Sequence, residues 1–140
     1  MNKAITAFSL ALMLTTHLTA TVAVADDQPA GISYALVNAS PLANVPGKNL
    51  TAVTVELAPG ALLPAHTHAG FVFAYVLEGT VRSQLNQGES VDYTTGQSWV
   101  EPPGTIHSLT QNPSSTETTT ILAVFVAQDG AELTHFGGDH

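Results

Sequence analysis

The sequence predicts an all-β domain of the sandwich or barrel kind, on three observations. Apolar and polar residues alternate with period two through several short runs, which sends successive side chains to opposite faces of a strand. Glycine- and proline-containing turn signals separate these runs by roughly eight to twelve residues, the rhythm of sandwiches and barrels. No window of useful length carries the apolar stripe of an amphipathic helix.

Lys3 supplies a short basic start, Ala4 to Leu14 is almost wholly apolar, and Ala23-Val24-Ala25 precedes Asp26-Asp27. That order is the layout of a secretory signal peptide, residues 1–25, cleaved after Ala25, and it predicts a periplasmic or secreted protein. A membrane-spanning helix fits less well, because spanning takes about 20 consecutive apolar residues. This stretch turns threonine-rich and contains His17. Residues 26–50 are expected to form an N-terminal extension, with an edge strand over Ile32 to Val37 and a loop from Pro41 to Asn49. The barrel proper is expected over residues 51–127. Thr51 to Leu57 alternates and stops at Pro59-Gly60. Phe71 to Leu77 is a continuous apolar run ended by Glu78-Gly79, the pattern of a strand covered on both faces. Thr80 to Leu85 alternates up to the Asn86-Gln87-Gly88 turn, and short runs follow at Val91–Tyr93 and Ser98–Val100. Gln111 to Thr120 is a polar hairpin or linker, Ile121 to Val126 is wholly apolar, and residues 128–140 read as a C-terminal tail.

Composition narrows the partners. The formal net charge is −8, and Lys48 and Arg82 are the only strong bases beyond Lys3. So acidic a chain repels nucleic acid and anionic lipid, which excludes both as expected partners once the leader is removed. The absence of cysteine removes disulfides, thiolate ligands and thiol nucleophiles together. No phosphate-binding glycine loop and no Ser/His/Asp motif is present.

The chemistry-bearing residues are histidines. His66 and His68 stand two apart, a spacing that places both imidazoles on one face of a strand. His107 follows a Pro-x-Gly turn, Pro102-Pro103-Gly104, able to swing a neighbouring strand across. Three imidazoles on one face suit a divalent transition metal (Fe, Mn, Zn, Ni or Cu) and leave positions open for water or a small-molecule substrate. An isolated His-x-His pair also suits two solvated strand-end histidines, so the surrounding frame decides between the readings.

That frame resembles the cupin superfamily. The first cupin motif sets a glycine ahead of a His-x-His pair, then a glutamate, then a closing glycine; Gly60, His66, His68 and Gly79 fall in these positions. The second sets a glycine, a Pro-x-Gly turn, a histidine and an asparagine; Gly96, Pro102, Gly104 and His107 fit, with Gln111 at the asparagine position. The resemblance implies an all-β, double-stranded β-helix (jelly-roll) barrel with its metal inside one end, and a homodimer is common among such proteins.

The departure is at Val72, which occupies the place of the glutamate ligand. A centre of three neutral imidazoles keeps the full double charge of its ion and attracts anionic or enolisable oxygen donors. Glu101 is the one acid near the second motif and is a candidate substitute ligand or base, but its place directly before Pro102-Pro103 favours a position outside the ligand set. Val72, Ala74 and Val76 share the inward parity, and Ser83 takes the inward parity of the next strand. Phe71, Phe73 and Tyr75 point outward, where packing against a second layer with some dimer contact is expected. His135, His140 and Asp139 lie in the tail and are expected to be solvated. Two functions follow. One is a mononuclear metalloenzyme of the dioxygenase or isomerase type acting on a small oxygen-rich compound, as the resemblance to three-histidine cupin dioxygenases implies. The other is a non-catalytic metal- or small-ligand-binding cupin, supported by the absence of an obvious general base.

Overall fold

The computed structural model describes residues 29–137. The expected leader of residues 1–25, with His17, and the tail residues Asp139 and His140 lie outside the described residues. Eleven strands form: β1 (Ile32–Pro41), β2 (Lys48–Leu57), β3 (Leu62–Leu63), β4 (His66–His68), β5 (Phe71–Glu78), β6 (Thr80–Leu85), β7 (Val91–Thr94), β8 (Ser98–Glu101), β9 (Ile106–Gln111), β10 (Thr119–Gln128) and β11 (Thr134–Phe136). No helix occurs among the described residues. A five-stranded sheet runs β1-β2-β10-β5-β8, and a six-stranded sheet runs β11-β4-β9-β6-β7 with β3 beside β9. All pairings are antiparallel. The two sheets face each other as a jelly roll.

The alternation in sequence becomes the two faces of each sheet. In β5, Val72, Ala74 and Val76 are buried while Phe71 and Phe73 are each 37% exposed. The apolar run is therefore covered on one face only, which corrects the expectation of two. Burying a residue such as Val76 or Leu57 contributes roughly 1.5–3 kcal/mol, and these inward rows make the core. Among the described residues no second layer packs over Phe71 and Phe73 either, so the outer face of this sheet is open.

The turn between β5 and β6 depends on Gly79. Its φ is +79°, and a Cβ there would stand 2.7 Å from Thr119 Oγ1 and 2.9 Å from the Thr118 carbonyl oxygen. Thr119, fully buried, clamps the same turn by donating to the Thr80 carbonyl at 2.7 Å. Asn112 performs the equivalent task for the Gln111–Thr119 connection. Its buried amide donates to the carbonyls of Leu57, Ala58 and Glu117, and its carbonyl accepts from the Ser114 amide. Each carbonyl left unpaired would cost about 1–3 kcal/mol, so this linker is held rather than loose.

The C-terminal segment also differs from the expected tail. Thr134–Phe136 pairs with β4, with Thr134 opposite His68 and Phe136 opposite His66. Valine and aromatic content is too low here to announce a strand; the pairing is won by the exposed backbone edge of the short β4. The interior is packed by Val76 and Val81 near the β5–β6 turn and opens toward the start of β5, where Val72 lines a cavity of about 220 Å³.

Candidate metal centre

The cavity sits between the two sheets and collects the predicted histidines. Pro64 lacks an N–H and interrupts the ladder between β3 and β4. The restart at His66 aims positions 66 and 68 inward. The turn at Pro102–Thr105, closed by a hydrogen bond from the Thr105 amide to the Pro102 carbonyl, returns the chain into β9. There His107 stands directly opposite His66. One nitrogen from each of His66, His68 and His107 lies within 4.8 Å of the others, the arrangement of three groups positioned to hold a metal ion.

The backbone decides which nitrogens are free. His66 Nδ1 lies 2.8 Å from the Pro64 carbonyl oxygen, and His68 Nδ1 lies 3.1 Å from that of Leu133. A carbonyl only accepts, so each Nδ1 carries the proton and donates it. Each Nε2 is left with a lone pair. This is the orientation that outer partners impose on metal-ligating histidines. The Leu133 contact comes from the segment read as tail, whose sequence gave no hint of it.

A fourth group faces the cavity. Glu101 is 2% exposed and stands as the cross-strand partner of Val72. Trp99 Nε1 donates to its Oε1 at 2.9 Å, and His107 Nδ1 lies 3.2 Å from the same oxygen. Its Oε2 is buried without a hydrogen-bond partner and lies 3.6 Å from His68 Nε2. Glu101 thus lines the same cavity as the three histidines, while the group whose donor atoms converge within 4.8 Å consists of the histidines. The signal was present in the sequence. Trp99 and Glu101 share one parity, and an inward Trp99 carries Glu101 inward with it. Gln111, by contrast, pairs with Leu62 and Arg82 along β9 and does not line the cavity.

His107 is held at both ends. Its Nε2 lies 2.7 Å from Ser83 Oγ, so the hydroxyl, ring and Glu101 carboxylate form one chain. The order matches a nucleophile, base and orienter. Ser83, however, is 2% exposed and does not line the cavity, so its hydroxyl meets no substrate and instead fixes the ring. His135 faces away, 3.4 Å from Glu132 at the surface, and takes no part.

Electrostatics follow burial. Burial lowers His66 to about 4, with His107 and His68 adding repulsion against the Pro64 hydrogen bond. His68 is lowered for the same leading reason, opposed by Glu101. Burial pushes Glu101 up, but the hydrogen bonds from His107 and Trp99 outweigh it and hold the carboxyl below its ordinary value. The neutral His68 and ionised Glu101 therefore present two bare acceptors to each other at 3.6 Å. Such a pair is stabilised by a cation between them, and the donor set of imidazole nitrogens and one carboxylate fits a divalent transition metal.

The pH dependence of the metal-free fold has a definite sign. Between 6.5, the ordinary value of His66, and about 4, its folded value, the unfolded chain binds a proton that the folded chain refuses. Stability therefore falls as pH falls through this window. Glu101, lowered in the fold, adds a further loss below it. Urea melts of chelator-treated protein should show roughly 2 kcal/mol less stability at pH 4.5 than at pH 7.5. Equal midpoints and slopes at the two pH values would contradict the buried, neutral state of His66.

The comparisons with known proteins bear on this arrangement. A family model described as a cupin domain matches residues 53–125. The chain belongs to the cupin family. No curated protein matches it. Among solved structures, KdgF from Halomonas sp. is 24% identical, with a TM-score of 0.58 over 71% of this chain and 82% of that one. A conserved double-stranded β-helix protein from Klebsiella pneumoniae is 17% identical, with a TM-score of 0.60 over 80% and 89%. An oxalate oxidase in complex with the substrate analogue glycolate is 20% identical, with a TM-score of 0.60 over 79% of this cupin and 57% of that chain. These likenesses establish the shared barrel.

Proposed function

We propose that this cupin is an exported, homodimeric metalloprotein that holds one divalent transition metal through His66, His68 and His107. Its chemistry on that reading is of the dioxygenase or isomerase type, on a small compound carrying oxygen donors on an apolar body. One observation carries the proposal: the bare Nε2 of His68 faces the unpartnered Oε2 of Glu101, both buried at the edge of an apolar cavity. When bound, the metal would supply a Lewis acid that polarises a ligand oxygen. His107 would complete the set, one of its ring nitrogens lying within 4.8 Å of those of His66 and His68.

The remaining residues describe the ligand. Val72, Ala74, Ile121, Ala123 and Phe125 wall the cavity, and neither Lys48 nor Arg82 reaches it. A polyanion would find no counter-charge there beyond the metal. Thr110 lines the cavity with a buried hydroxyl that has no partner, a second polar anchor a few residues from His107. A small diketone or monocarboxylic acid with an alkyl body matches two polar anchors in an apolar box. The glycolate complex of the similar oxalate oxidase supports a small oxygen-donor ligand of this kind. The layout of residues 1–25 supports export, and the open Phe71–Phe73 face supports self-association.

A non-catalytic binder is the second reading. It is favoured by the fact that the cavity holds a single carboxylate, one oxygen of which is already engaged by Trp99 and His107. The test is a turnover screen of the iron-, manganese-, nickel-, copper- and zinc-loaded protein on small diketones and alkyl carboxylic acids, following oxygen uptake and product mass. Turnover that stops on chelation and returns with one metal supports the enzyme. Stoichiometric metal with tight ligand binding and no product supports the binder. Protein that takes up none of these metals contradicts both.

A further inference from the structure

We infer that Glu101 is the fourth ligand of this centre, entering from β8 in place of the carboxylate that position 72 of β5 lacks. The inference rests on the proposed metal site and specifies its donor set. Val72 and Glu101 are cross-strand partners, so their side chains rise from the same face of the sheet. The Cβ atoms of such a pair lie only about 4.5–5.5 Å apart. A carboxylate moved from one partner to the other reaches nearly the same point in the cavity. The glutamate side chain is long enough to cover that offset.

The two oxygens of Glu101 divide their tasks. Oε1 is held by Trp99 Nε1 at 2.9 Å and by His107 Nδ1 at 3.2 Å, which fixes the carboxylate plane. Oε2 is then left beside His68 Nε2 with nothing to accept. A buried carboxylate oxygen without a donor is costly, and a structure retains one where an ion satisfies it. Its separation of 3.6 Å from His68 Nε2 matches the span of two atoms bound to one tetrahedral ion. With bonds of about 2.1 Å, that span is about 3.4 Å. A surface role is ruled out by burial: only 2% of Glu101 is exposed.

The ligand set then becomes three imidazoles and one carboxylate, and the charge of a divalent centre falls from two to one. Such a centre favours a monoanion over a dianion in a cavity that holds no other cation. Trp99 gains a role as well, since its indole N–H aligns the ligating carboxylate.

The test is titration of chelator-treated protein with Co²⁺, read by calorimetry and by visible absorption, for wild type, Glu101→Gln and Val72→Glu/Glu101→Gln. The glutamine keeps an oxygen for Trp99 and preserves the side-chain volume, and circular dichroism checks the fold of each variant. Loss of a ligand should weaken Co²⁺ at least as much as loss of an outer partner does, about 10–100-fold, and alter the visible bands. The double variant, with its carboxylate restored on β5, should recover most of the affinity. Glu101→Gln with wild-type affinity and bands would overturn the inference while leaving the three-histidine site standing. Weaker binding with unchanged bands would also overturn it, by making Glu101 a positioning residue. Wild type that binds no Co²⁺ would remove the metal reading and this inference together.

Discussion

Replacing His66 and His68 together by alanine should abolish metal binding at any concentration near that of the protein. A zinc site of four protein ligands binds with about 10–16 kcal/mol, roughly 3 kcal/mol for each ligand. At 1.4 kcal/mol per factor of ten, each lost imidazole weakens the ion by more than about a hundredfold. The double variant should lose on the order of ten-thousandfold. The loss comes without collapse of the fold, because both rings border a cavity instead of filling the packed core around Val76, Val81 and Leu57. Removing His66, moreover, removes the buried neutral imidazole that disfavours the fold in acid. Metal content after dialysis against trace zinc, together with thermal melts, checks both points. A double variant that retains stoichiometric metal would place the ion elsewhere.

Val72→Glu alone should have the second large effect, and its sign depends on the metal. The new carboxylate would rise beside Glu101, its cross-strand partner, from a position only 1% exposed. Two like charges at that distance cannot both ionise in an apolar box, so one is protonated or the fold opens. An uncompensated buried charge costs about 3–5 kcal/mol. For a domain of this size, that lowers the melting temperature by more than about 10 °C. A divalent ion binds the folded state alone and should restore most of the loss. Differential scanning fluorimetry with and without zinc reads the outcome. A variant that melts like wild type without metal, or that metal fails to rescue, would show that positions 72 and 101 do not converge on an ion.

How far the sequence revealed this site depends on which residue is considered. His66, His68 and His107 were legible because glycine and proline spacing constrains turns, and turns set which strands cross. Gly79 illustrates the point: its positive φ and its contact with Thr119 leave room for no side chain. The inward row of Val72, Ala74 and Val76 followed from period-two parity. Glu101 was given little weight because of its proline neighbours, whereas β8 runs up to and includes it. Cross-strand register is what makes it the partner of Val72, and register between strands distant in sequence is not written in local pattern. The same limit hid β11. Thr134–Phe136 becomes a strand only because β4 offers it an edge, and Leu133 and Phe136 then reach His68 and His66. The burial of β5 on one face alone has a related origin. A continuous apolar run fits either a doubly covered strand or an outer face left open, and only the partner layers distinguish them.

The proposed centre places an ion among His66, His68, His107 and Glu101. Its most direct measurement is anomalous diffraction from crystals of the protein purified without chelator, collected on both sides of the absorption edge of the metal found by elemental analysis. One strong anomalous peak is expected within about 2.3 Å of His66 Nε2, His68 Nε2, a nitrogen of His107 and Glu101 Oε2. No peak in the barrel of metal-containing crystals, or a peak beside His135 and Glu132 at the surface, would contradict it.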